Sequence, residues 1–285
     1  MNVGRQQPGP SWELRWLGFH ARVQAPADVL ARLAATRPRP PAWADSAPGD
    51  GGVHFTVRRG GEILRDGVRV AVADRRRELL PLLDRALTAA AVEDLGQRWL
   101  LLHAGAVVWR GRALLLPAAS GSGKSTLIAG LLAAGCGYLS DEVAVLDAAT
   151  GCLLPFPTSL GLKAGARRVL APLFPEVARL RRQRIDGHAV WPFRPPEAAW
   201  PGGPARPGYI VLPRYTAGAP PTLEPVARAT ALAECVAQSY RLRAQGAAGL
   251  RGLVELVQAS KCFSLTGGDL GGCVDLLRRL LETAN

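Results

Sequence analysis

Residues 114–135 read LLLPAASGSGKSTLIAGLLAAG, and this stretch decides the fold. Leu114, Leu115 and Leu116 form an apolar run without alternation, which predicts a strand buried on both faces. The run enters Ala118-Ala119-Ser120-Gly121-Ser122-Gly123-Lys124-Ser125, and a helix then extends to about Ala134, with Gly135 as its stop. The spacing is that of the phosphate-binding pattern GxxxxGK[ST], with Ala118 in place of the first glycine. Alanine fits there if its φ stays negative, while Gly121 and Gly123 remain free to take positive φ. Backbone N–H groups of 120–125 and the positive end of the helix then face one concavity. Lys124 can reach the outer phosphates of a nucleotide, and the Ser125 hydroxyl can hold Mg²⁺. The expected nucleotide-binding set is Ser120, Gly121, Ser122, Gly123, Lys124, Ser125 and Thr126. A Gly/Ser-rich turn that contains GKS by chance is the bland alternative, and the strand before and helix after speak against it.

Working outward, Gly137-Tyr138-Leu139-Ser140-Asp141-Glu142-Val143 follows the helix. A strand–helix–strand crossover returns its second strand parallel to the first, which puts Asp141 and Glu142 at the edge that carries the loop. Two adjacent carboxylates there can divide the work, one holding Mg²⁺ and the other orienting or deprotonating a hydroxyl. A polar turn between strands is the alternative, since only two bulky apolar residues precede the pair. Upstream, Arg110-Gly111 reads as a two-residue hairpin turn, which pairs residues whose numbers sum to 221. His103 then faces Ala118, beside the loop, as either a catalytic or a structural histidine. Lys163 lies downstream of the acidic pair, and spacing alone leaves it between a phosphate or substrate contact and a solvated lysine.

The chain has 285 residues, 48% of them hydrophobic, which is enough for one large domain or one domain with a smaller companion. No stretch reaches the ~18 consecutive apolar residues of a membrane helix, and the first residues lack the apolar core of a secretion signal, so a cytoplasmic protein is expected. Five widely spaced cysteines form no metal-ligand pattern and read as reduced thiols. The net charge of +12 favours anionic partners. Of its 35 basic residues only three are lysines, Lys124, Lys163 and Lys261. Segment 163–194 is arginine-rich and includes Arg181 and Arg182, either a solvated face or a docking site for an anionic partner.

The first 98 residues read as a small α+β unit. Its expected elements are a strand over 12–19, a helix over 28–35, strands over 53–59 and 68–73, and a leucine-rich helix over 78–92. From residue 99 to the end a mixed α/β domain is expected. Its later strands fall near 209–212 and 263–265, and its helices over 228–239, 247–258 and 271–282. The proline-rich connection 155–207 has no assignment.

The set HAGAVV, GRALLLPAASGSGKSTL, GYLSDEVAVLD and LK resembles the HPr serine kinase/phosphorylase group, most closely its shorter HPr-kinase-related P-loop kinases, which share a fold with ATP-dependent phosphoenolpyruvate carboxykinase. The match covers 99–163 and, more loosely, YIVLPRYTAGAPPTLEP. The resemblance implies an α/β P-loop kinase domain over 99–285 behind the N-terminal α+β unit. It also joins His103, Lys124, Ser125, Asp141 and Glu142 in one site that uses ATP and Mg²⁺. Thr126 replaces the glutamate usual in the bifunctional enzymes, Asp141-Glu142 replaces Asp-Asp, and the C-terminal loop of the phosphorylase activity is not found. Kinase activity is therefore expected rather than phosphorolysis. The expected acceptor is a serine hydroxyl of a peptide or small protein, with a PqqD-like peptide-binding protein as a candidate partner. Asp141 is the candidate base, with His103 and Lys124 as further catalytic residues; Ser125 and Glu142, together with Asp141, are the candidate metal ligands; and Lys163, Arg181 and Arg182 are the candidate substrate contacts. A kinase of free serine or another small alcohol, and a P-loop ATPase acting with nucleic acid or a transport partner, are the alternatives. Nucleic acid is the less expected partner, and a homo-oligomer stays open.

Overall fold

The computed structural model describes residues 10–45, 52–185 and 187–283. Its N-terminal part is a five-stranded sheet in the order β1 (Ser11–Trp16), β2 (Phe19–Gln24), β3 (Val53–Val57), β4 (Glu62–Arg65), β5 (Val68–Val72). Helices α1 (Ala27–Thr36) and α2 (Arg76–Leu95) accompany it. The single strand expected over 12–19 is two strands, because Leu17 (φ 49°) and Gly18 (φ 76°) turn the chain between Trp16 and Phe19. β4 lies between the strands expected over 53–59 and 68–73, where no element is expected from the sequence. The expected helices over 28–35 and 78–92 correspond to α1 and α2.

The remainder is a mixed α/β structure around a nine-stranded sheet. β6 (Leu100–Trp109) and β7 (Arg112–Pro117) form a hairpin closed by Arg110 (φ 48°) and Gly111 (φ 77°). Ala104 opposes Pro117 and Trp109 opposes Arg112, so the sum of 221 holds along the ladder. α3 (Lys124–Ala133) follows the loop, and Gly135 at φ 92° ends it. β8 (Gly137–Ser140) and β9 (Val143–Leu146) then run along the far side of β6, antiparallel to it. The crossover from β7 therefore returns a parallel strand, but β6 lies between the two, because the β6–β7 hairpin already occupies the neighbouring position. The acidic pair fills the break between β8 and β9 rather than a strand end. β10 (Leu153–Leu154) pairs with β9.

The proline-rich connection builds a small sheet of β11 (Leu160–Leu162), β12 (Gln183–Ile185) and β13 (His188–Phe193), with β13 in the middle and α4 (Ala164–Leu170) alongside. β14 (Arg206–Tyr215) returns parallel to β7. β15 (Thr222–Pro225), α5 (Arg228–Ala237), β16 (Ser239–Tyr240), α6 (Leu242–Gln258), β17 (Lys261–Gly267) and α7 (Leu270–Glu282) complete the chain. β17 extends the sheet parallel to β14, and β15 closes that edge in antiparallel sense.

The absence of alternation in β7 has a direct cause. Leu114 and Leu116 pack with α3 and α7, while Ala113 and Leu115 pack with α5 and α6 on the opposite face. The N-terminal sheet shares a core with the larger one: Trp16, Phe55, Leu83 and Leu87 belong to the same buried cluster as Leu101, Val143, Val145 and Phe156. All five cysteines are unpaired, and Cys152 alone is not buried. Among the described residues, no helix is long and apolar enough to cross a membrane.

Candidate active site

The loop takes the shape its composition requires. Gly121 and Gly123 have φ of 93° and 94°, whereas Ala118 is absent from the positive-φ positions and so replaces glycine without strain. The Tyr215 N–H donates to the Ser122 carbonyl at 3.2 Å and fastens the loop to the end of β14. The N–H groups of Gly121, Gly123, Lys124, Ser125 and Thr126 have no hydrogen-bond acceptor among the described residues. Five free donors at the N-terminus of a ten-residue helix make an anion cradle. Lys124 is buried and folds back into it, donating to the carbonyls of Ala118 and, at 3.2 Å, Ala119. Burial lowers the Lys124 pKa, and the ammonium of Lys163 adds to that, against Asp141, Glu142 and Glu234. Lys163 is thereby placed: its Nζ lies 4.0 Å from the point where a Cβ on Gly121 would stand.

The Ser125 hydroxyl donates to Asp141 Oδ2 at 2.9 Å, and the Gly161 N–H on β11 donates to the same oxygen at 3.1 Å. Asp141 Oδ1 is buried with no partner. Burial raises the Asp141 pKa, and these two hydrogen bonds and Lys124 oppose the rise. Ser125 Oγ and Asp141 Oδ1 are hard oxygen donors side by side, the kind that suits magnesium. Among the described residues no group of three or more His, Cys, Asp or Glu gathers to hold a metal, so a bound ion would complete its shell from phosphate and water.

Glu142 differs from its neighbour. Its side chain is open to solvent and has no hydrogen-bond partner among the described residues, yet protein surrounds it closely enough that desolvation is the main cause of its raised pKa. Asp141 and Asp84 push the same way, against Arg37 and Lys124. The Asp84 carboxylate that acts on it belongs to α2, so that helix lies beside Glu142. Arg37, which follows α1, is 2% exposed and bonds Asp84 Oδ1 at 2.7 Å.

His103 lies beside the loop, where the hairpin register puts it. Its Nε2 is 3.3 Å from Lys124 Nζ, and its Nδ1 is 3.3 Å from the Tyr240 hydroxyl. An ammonium only donates, so Nε2 is the acceptor and Nδ1–H donates to Tyr240. Burial, then Lys124, lowers the His103 pKa, which favours the neutral ring. Tyr240 reaches this place because β16 takes over pairing with β6 where β7 departs into the loop. The next residue, Arg241, has φ 52°, a costly conformation for a non-glycine residue.

The structure thus gathers His103, the loop from Ser120 to Thr126, Asp141, Glu142 and Lys163. It does not bring Arg181 and Arg182 to the loop. Both are exposed at the start of β12, and β13 separates that strand from β11, which carries Gly161. Tyr240, Gly161 and Arg37 have no local sequence signal of their own, since their partners lie far away in the chain. Of the two carboxylates, Asp141 is the one that accepts from the Ser125 hydroxyl. No protein-family model and no curated protein matches the chain.

Proposed function

We propose that this chain is an ATP- and Mg²⁺-dependent P-loop kinase of the HPr-kinase-related type, acting in the cytoplasm on a serine hydroxyl of a peptide or small protein. The observation that carries the reading is the anion cradle of five free N–H groups directly beside the Ser125–Asp141 pair. Mg-ATP, when bound, supplies the phosphoryl group and the charge that draws Lys124 away from the carbonyls of Ala118 and Ala119. The loop amides and Lys124 hold the phosphates, with Lys163 as a second cation above Gly121. Ser125 and Asp141 hold the metal. Glu142, exposed to solvent, accepts the proton of the attacking hydroxyl, a role suited by its raised pKa. His103, neutral, offers Nε2 as a lone-pair acceptor that steers the Lys124 ammonium.

The exposure of Glu142 leaves room for an acceptor larger than free serine. The experiment is incubation with ATP and Mg²⁺ against serine-containing peptides and free serine, read by mass spectrometry of the products. Phosphoserine in peptides supports the reading. Phosphorylated free serine with peptides unreactive replaces it with the small-molecule kinase. ATP turnover that appears only with DNA or RNA replaces it with an ATPase.

A further inference from the structure

Three of the large apolar side chains most open to solvent lie on one strand: Val68, Val70 and Val72 of β5, exposed by 67%, 47% and 45%. β5 is the outer strand of the N-terminal sheet, and no described strand pairs with its free side. Val68 flanks the two-residue Asp66-Gly67 turn opposite Arg65, so those two residues exchange hydrogen bonds. The ladder then leaves the N–H and C=O of Arg69 pointing away from β4. Val70 is the extra residue where the register shifts, so Val68 shares a face with Arg65 and Ile63 while Val72 shares the other face with Leu64 and Glu62; the edge stays uncovered.

A basic cluster stands at the far end of this edge. The Ala73 N–H donates to the Gly61 carbonyl at 2.9 Å, which joins the Arg58-Arg59-Gly60-Gly61 turn to the Ala73-Asp74-Arg75 turn. Arg58, Arg59, Arg75 and Arg77 are exposed and have no ion-pair partner among the described residues. Arg76 is held by Asp28 at 2.6 Å, and Asp74 is the one carboxylate in the second turn. An open strand edge with exposed valines on both faces and unpaired guanidinium groups at one end favour one occupant.

We propose that β5 docks an acidic, extended peptide, which adds as a sixth strand by main-chain hydrogen bonds and sets its carboxylates on the arginine cluster. This deepens the peptide-acceptor reading and rests on it for its use, while docking itself needs no nucleotide. It also moves the docking site from Arg181 and Arg182 to the N-terminal sheet.

The test is fluorescence anisotropy of a labelled peptide that alternates valine and glutamate, with the full chain and no ATP. Binding is expected at low salt and is expected to weaken as salt screens the exposed arginines over ~10 Å at 0.1 M. Arg69→Pro removes the outward N–H at an edge position that tolerates proline, and should weaken binding by about tenfold or more. Replacing Arg58, Arg59, Arg75 and Arg77 together by Ala should weaken low-salt binding and flatten its salt dependence. If Arg69→Pro does not fold, Val68→Lys with Val70→Lys takes its place, with the same expected loss. Absence of binding by the wild-type chain overturns the proposal, as does unchanged binding in the edge variants. Self-association of the chain that Arg69→Pro abolishes also overturns it, because a second copy then covers the edge. Peptide binding without phosphoryl transfer leaves the docking site standing and refutes the kinase reading alone.

Discussion

Replacing Tyr240 by Phe removes one oxygen and leaves the ring in place. That oxygen lies 3.3 Å from His103 Nδ1, and Lys124 Nζ lies 3.3 Å from Nε2 on the other side. Burial, with Glu142 nearby, pushes the Tyr240 phenol up to about 12, so it remains a neutral hydroxyl at any working pH. In the variant the ring loses the phenol, and the backbone carbonyl of Glu142 is the acceptor that remains beside it. Losing one such hydrogen bond costs about 1 kcal/mol. In a chain of this size that is a fall of roughly 2–4 °C in melting temperature. The same energy, lost from the steering of Lys124 in the transition state, lowers kcat by roughly fivefold, with the KM for ATP little changed. Long-range ¹H–¹⁵N NMR of the ring nitrogens reads the tautomer directly, and only four histidines need assignment. Wild type should show the proton on Nδ1 of His103, and Tyr240→Phe should lose that preference. An unchanged tautomer together with an unchanged melting temperature would refute the reasoning.

Three further outcomes are expected. Asp141 and Glu142 both have pKa values raised by burial, so over the window above the ordinary carboxylate range the folded state binds more protons than the unfolded state, and stability falls as pH rises. Asp141→Asn with Glu142→Gln should therefore melt higher than wild type at pH 8 and about equally near pH 4, measured by thermal scans across pH. Gly123→Ala forces alanine to φ 94° and should cost ~1–2 kcal/mol while weakening nucleotide binding, read by denaturant titration and calorimetry. Phe156→Ala empties a fully buried site shared by both sheets and should cost ~3–5 kcal/mol, with the chain still unfolding in one transition by circular dichroism.

Much of the loop and its acidic partners is legible in the sequence because the information is local. Residues 114–135 carry their own strand, turn and helix signals, and the hairpin register follows from the Arg110-Gly111 turn. Other features leave no local mark. Leu17 turns the chain at φ 49°, a conformation that leucine composition does not announce, so β1 and β2 merge in a reading of 12–19. β4 has four residues between two turns, too few for its alternation to stand out. Tyr240 meets His103 from 137 residues away, and Gly161 meets Asp141 from 20 away through a proline-rich segment with no clear periodicity. The different surroundings of the two carboxylates likewise arise from tertiary packing, because adjacent residues in a strand break can point different ways.

Transfer of label from γ-³²P-ATP to a serine peptide, compared between wild type and Lys124→Ala, tests the central claim most directly. Lys124 stands at the start of α3 with its Nζ inside the cradle. Its loss should leave a folded chain by circular dichroism, with label transfer reduced by about 10³-fold or more and dependent on Mg²⁺ in the wild type. Full label transfer by a folded Lys124→Ala protein, or no transfer by wild type to any hydroxyl acceptor, would contradict the account.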